Sequence, residues 1–258
     1  MMHFCPVFTL LTAAGTLTTV IATSAQDQEV KQTSWVNRDT DNASFVVFLN
    51  SEAELCLGTL IHKQWVLTAA HCFLPFLQIQ IPASEASNFQ NTELKHELVV
   101  KHPNFTQDSV EHDLMLIKLQ RPLKPSDGQK LAILPNTTDD KPGTTCTVFG
   151  WGWTWKEYNL DPNIQISQVV VWLSNRDCGE DFSSRQTSSL ASDNVFCAGS
   201  SLSTTHLCSE ITAAPVLCQN QLQGILSWSE GCVLKGNRGH YTKVSHYVDW
   251  IFEVIHTH

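Results

Sequence analysis

Cysteine usage constrains this chain more than any other feature. Of nine cysteines, Cys5 lies in an apolar leader, which leaves Cys56, Cys72, Cys146, Cys178, Cys197, Cys208, Cys218 and Cys232. No two are spaced as Cys-x-x-Cys, so the set lacks the ligand spacing of a structural zinc site. An even count in an exported chain is the pattern of disulfide cross-links. Spacing alone allows ~105 pairings and selects none of them.

Export is read from residues 1–25. They contain no acidic side chain, hold the apolar run Phe8-Thr-Leu-Leu-Thr-Ala-Ala, and end in Thr23-Ser24-Ala25 before polar Gln26-Asp27-Gln28-Glu29. Small residues before a polar boundary are a cleavage pattern, so a secretory signal peptide is expected over 1–25. A membrane anchor is the rival reading. The apolar run is too short for a bilayer and is interrupted by threonines. Three acceptor tripeptides for N-glycans, at Asn42, Asn104 and Asn136, suit the same route.

The chain has 258 residues, 42% hydrophobic and 16% charged, with a formal net charge of −9. That length suits one large all-β domain or two small ones around a shared cleft. An acidic chain without a basic cluster is a poor match for nucleic acid or an anionic membrane, and the charge is read as a solubility device.

Short β-like runs recur at Ser44–Leu49, Trp65–Thr68, Glu97–Val100, Leu114–Leu119, Gln168–Leu173 and Leu222–Trp228, with polar or Pro/Gly punctuation between them. Many short strands of this kind predict a sandwich or barrel. Only the last segment has helical periodicity. Val244, Tyr247, Val248, Ile251, Val254 and Ile255 recur at spacings of three and four, which places them on one apolar helix face. Pro, Asp and Lys accumulate from Pro122 to Gly143, where a boundary between two barrels would fall.

Two motifs carry chemistry. Leu67-Thr-Ala-Ala-His71-Cys72 sets a histidine beside a candidate cross-link that would hold its loop. Glu111-His112-Asp113-Leu-Met-Leu-Ile-Lys sets a carboxylate at the start of an apolar strand. A carboxylate there can accept an imidazole N–H and stabilise the imidazolium.

With these motifs in this order, the chain resembles the trypsin-like (chymotrypsin-clan, S1) serine proteases, in particular the serine protease 58-like (trypsin-X3) branch. The resemblance runs from about Phe45 to Ile255. Gly150-Trp-Gly, Cys197-Ala-Gly, Ser227-Trp228, Gly239-His-Tyr241-Thr-Lys-Val and Trp250-Ile carry it further. It implies an all-β fold of two six-stranded antiparallel barrels with a C-terminal α-helix, forming a peptidase domain over 45–258. The segment 26–44 would precede that domain without a standard activation sequence. It also implies four bridges: Cys56–Cys72, Cys146–Cys218, Cys178–Cys197 and Cys208–Cys232. His71 takes the place of the general base and Asp113 that of its orienting acid.

The departures from the family decide the expected function. Active members carry Gly-Asp-Ser-Gly-Gly-Pro where this chain reads Glu210-Ile211-Thr212-Ala213-Ala214-Pro215. Thr212 falls at the nucleophile position and keeps a hydroxyl, but its methyl stiffens χ1. Glu210 replaces a glycine whose N–H forms half of the oxyanion hole, and its charge opposes a developing oxyanion. Ile211 replaces the aspartate that pairs with the new N-terminus after zymogen cleavage. No Ile-Val-Gly-Gly precedes Phe45, so both halves of that switch are missing. Ala213 and Ala214 restrict the backbone if they need positive φ and fill space if they do not.

In the specificity pocket, His206 stands where trypsins carry an aspartate for Lys or Arg. Ser229 follows Ser227-Trp228 where a glycine keeps the pocket open, while Gly239 is retained. The expectation is a secreted, extracellular, monomeric protease homologue without ordinary catalysis. It would act on a secreted or cell-surface protein partner, and the branch points to the reproductive tract or sperm. No cofactor, metal, nucleic acid or membrane span is expected. One alternative is a slow hydrolase using Thr212 without Lys/Arg specificity. Another is a decoy or inhibitor that captures substrates without cutting them.

Overall fold

Strand formation follows the apolar runs. The computed structural model describes residues 44–50, 55–73, 76–81, 92–124, 128–136, 141–152, 164–174, 177–178, 193–199, 212–229, 233 and 237–258. All of them belong to the compact unit Trp35–His258. The expected signal segment, Asn42, His206, Cys208, Glu210, Ile211 and Cys232 lie outside the described residues.

The first sheet contains β1 (Val46–Asn50), β2 (Leu55–His62), β3 (Trp65–Thr68), β4 (Gln78–Ile81), β5 (Thr92–Leu94), β6 (His96–Lys101) and β7 (Met115–Leu119). Its order is β5-β4-β1-β2-β3-β7-β6, antiparallel throughout. The two edge strands, β5 and β6, are separated by Lys95 alone. One strand interrupted at that residue therefore serves both edges and brings the ends of the sheet together as the first barrel. The Lys95 carbonyl accepts from Gln120 N at 2.8 Å. All four residues of β3 are buried, as are four of the five in β1 and β7. Side chains alternate across a strand, so such strands are covered on both faces, which is why they read as unbroken apolar runs.

The chain changes sheet between Leu119 and Thr145. The second barrel is closed, in the order β10-β13-β12-β11-β8-β9. It comprises β8 (Thr145–Gly152), β9 (Ile164–Leu173), β10 (Val195–Gly199), β11 (Pro215–Cys218), β12 (Gln221–Ser229) and β13 (Gly239–Lys243). Inside it Trp172, Phe196 and Tyr241 stack, with centroids 3.9 and 5.3 Å apart. Gly224 faces this stack, and a Cβ there would lie 2.6 Å from the Phe196 ring. The close approach of strand to ring is what requires glycine.

The expected terminal helix is α1 (Val248–Thr257), shorter than the apolar periodicity. Val244 belongs to a preceding 3₁₀ turn, and Tyr247 caps the helix after donating its N–H to the Val244 carbonyl. Ile251 and Val254 bury the inner face. Lys118 on β7 donates to the His258 carbonyl and pairs with Glu97, both at 2.7 Å, which ties the chain end to the first barrel.

Three of the four expected bridges, Cys56–Cys72, Cys146–Cys218 and Cys178–Cys197, are formed among the described residues. No helix among those residues is long and apolar enough to cross a membrane.

Candidate active site

β3 ends at Thr68, and the chain turns directly into a 3₁₀ turn over Ala70–Cys72 that carries His71. The Cys56–Cys72 bridge ties this turn to β2. Asp113 immediately precedes the buried strand β7 and is itself only 2% exposed. Its carboxylate is held by three donors. His71 N–H donates to Oδ1 at 2.9 Å, while His71 Nδ1 and the Ser227 hydroxyl reach Oδ2 at 2.6 and 2.5 Å. An ionised carboxylate only accepts, so the 2.6 Å contact assigns the imidazole proton to Nδ1. Nε2, which lies 3.6 Å from Cys72 Sγ, is then the nitrogen with the lone pair that a general base uses.

Ser227 comes from the other barrel. The register of β12 against β13 shifts between Leu226 and Trp228, so Ser227 sits at a bulge. Bulges re-aim side chains beside active sites, and this one turns a hydroxyl onto Asp113. Sequence reasoning placed Ser227 in the pocket wall and did not foresee this contact. Thr242 on β13 adds a hydrogen bond to the Asp113 carbonyl at 3.4 Å.

Thr212 lies just before β11. Its carbonyl accepts from Leu57 N–H at 2.9 Å, and it bridges Cys56. The structure thus brings His71, Asp113 and Ser227 together, and it ties Thr212 through its backbone to β2, whose Cys56 is cross-linked to Cys72 beside His71. Ala213 is buried at φ +60°, in the left-handed region, so the first of the two alanines does meet the positive-φ requirement. Ala214 is also fully buried but lies outside that region.

Of the pocket positions, Trp228 is exposed, and its ring lies 5.0 Å from that of His240 with the planes inclined by 35°. Gly239 has Leu226 and Tyr241 atoms within 2.9 Å of where a Cβ would stand. His240 was not anticipated. It is buried on β13, and its Nδ1 lies 3.9 Å from Cys178 Sγ. Burial, with help from the Arg238 charge, pushes its pKa down to about 4. Asn104 and Asn136 are both exposed, and Asn136 Oδ1 accepts from Gln221 Nε2 at 2.9 Å.

The family model described as Trypsin matches residues 34–251. The chain belongs to the trypsin family. Cattle "Probable inactive serine protease 58" is 32% identical over 225 residues, covering 84% of this chain and 90% of that protein. Chicken Trypsin II-P29 is 36% identical over 214 residues, covering 82% and 84%. Among solved structures, mouse neuropsin, a serine protease expressed in the limbic system of the brain, superposes with a TM-score of 0.68 at 29% identity. That match covers 83% of this chain and 95% of neuropsin. Family members with opposite activity in their names are thus similarly related to this chain, so the residues at the site must discriminate.

Proposed function

We propose that this chain is a secreted homologue of the trypsin-like proteases that does not hydrolyse peptides and acts by binding a protein at the loops around the former cleft. The observation that carries the reading is the Thr212–Ala213 segment. The Thr212 carbonyl is tied to Leu57, and the next residue holds a buried methyl in a left-handed conformation. A β-branched nucleophile at such a point has little slack to place its hydroxyl, and an error of about 1 Å costs ~10²-fold in rate. Glu210 and Ile211 in the sequence oppose the oxyanion and remove the acidic partner of a new N-terminus. These losses fall on one unit, so their penalties are not multiplied. Export is supported by three disulfides and by the leader-like first 25 residues.

The intact His71–Asp113–Ser227 arrangement favours a second reading, a slow hydrolase using Thr212. Digestion of a pooled peptide library separates the two. The proposal expects no cleavage by the wild type or by Thr212→Ser. Cleavage by the wild type that disappears in Thr212→Ala establishes the second reading. Cleavage by Thr212→Ser alone would locate the whole defect in the added methyl.

A further inference from the structure

Directly before Asp113 in the sequence, the chain contributes to a second cluster of titratable groups, separate from the His71–Asp113–Ser227 contacts. His112 is the residue directly before Asp113 and sits at φ +58°. Its ring lies parallel to that of His102, with centroids 4.9 Å apart and planes inclined by 8°. His102 follows β6 and meets Trp250 of α1 edge-on at 4.9 Å and Tyr247 at 5.1 Å. The Tyr247 hydroxyl reaches His112 Nδ1 at 3.0 Å. Glu111 Oε2 lies 4.0 Å from His112 Nε2. The pair therefore joins three elements: the end of β6, the turn that carries Asp113, and the start of α1.

We propose that the stacked His102–His112 pair is an acid-released latch that holds the Asp113 turn to the C-terminal helix, closed while at most one imidazole is protonated and opened when both are.

Parallel stacking suits neutral rings. Two imidazolium rings at this spacing would repel in a half-buried setting, where water screens poorly. Among the described residues, the charged and titratable groups in contact with the pair are Glu111 from the turn and Tyr247 from the helix side. Glu111 can offset one charge, on His112. Tyr247 cannot offset the other, because burial and the Glu111 charge hold its phenol up to about 12 and keep it neutral. Burial, and then the His112 charge, lower the pKa of His102. The folded chain thus resists the second proton that the unfolded chain accepts near pH 6.5, and the closed latch loses stability as pH falls. The non-glycine residue at φ +58° makes the turn a place where release relaxes the backbone.

The test is hydrogen exchange on the full chain, followed by NMR between pH 7.5 and 5.0 and expressed as protection factors. Leu114 N–H, bonded to His112 O, and Tyr247 N–H, bonded to Val244 O, report on the two sides. The proposal expects their protection to fall about tenfold across this range while amides of β11 hold theirs. His112→Asn keeps a group able to bond Tyr247, tolerates positive φ and cannot take the proton. It should flatten the dependence, and His102→Gln should do the same if the first variant folds poorly. Protection at these two amides that is independent of pH in the wild type overturns the latch. So does a dependence that survives in both variants.

Discussion

Ala213 is where a change in residue type meets a fixed backbone. In an L-residue the left-handed conformation costs about 1 kcal/mol, which glycine avoids. Ala214, with ordinary φ, gains nothing from that exchange. Ala213→Gly should therefore be neutral or stabilise by up to about 1 kcal/mol, the relieved strain offsetting the lost methyl. Ala214→Gly should destabilise by about 1 kcal/mol. Urea unfolding of the two variants measures the contrast, and equal losses at both sites would deny the strain. His240 makes a prediction in pH. The folded chain keeps this imidazole neutral down to about pH 4, whereas the unfolded chain protonates near 6.5. Stability is then unaffected above pH 6.5, falls from there to about pH 4, and levels off below. The penalty reaches about 3 kcal/mol at pH 4. Denaturation of the wild type and His240→Val at pH 7 and pH 4 should show a gap between them that closes by this amount in favour of the variant. Neither effect was legible in the sequence. A glycine-to-alanine change gives no sign of φ, and a histidine within Gly-His-Tyr gives no sign of its burial.

The β11–β12 hairpin turns on Gln219 and Asn220, both with positive φ, at 49° and 63°. Two central residues in this region define a type I′ turn, whose preferred sequence is Asn-Gly. Gln219→Asn with Asn220→Gly should raise stability by about 0.5–1 kcal/mol, read as a higher thermal midpoint with an unchanged fold by circular dichroism. All six apolar runs singled out in the sequence lie on strands: β1, β3, β6, β7, β9 and β12. β1, β3 and β7 were legible because burial on both faces leaves a run of apolar residues, and β6, though exposed or half-buried throughout, keeps the run Leu98-Val-Val. β2 was not legible, because Gly58 and polar residues break its run. Gly58 is there because a Cβ would stand 2.4 Å from Val66 and 2.9 Å from Val47. β5, β11 and β13 are only three to five residues long, and long-range pairing decides them rather than local composition.

The site exists only because the two sheets meet. His71 and Asp113 were legible as motifs, since each is bounded by an apolar strand that the sequence reveals. The Ser227 hydroxyl on Asp113 was not, because it depends on a bulge in β12 and on the approach of the other barrel. The molecule holds the His71–Asp113 pair and three cross-links, and the proposed function rests on Glu210-Ile211-Thr212 no longer carrying a working nucleophile. A fluorophosphonate probe reads that combination without assuming a substrate, because it needs only an activated hydroxyl beside a working base. Intact-mass spectrometry of the purified mature chain after incubation with the probe should show no adduct, while an active trypsin in parallel is fully labelled. A stoichiometric adduct that maps to Thr212 and is abolished by Thr212→Ala would mean that the catalytic machinery is intact and the chain is an enzyme.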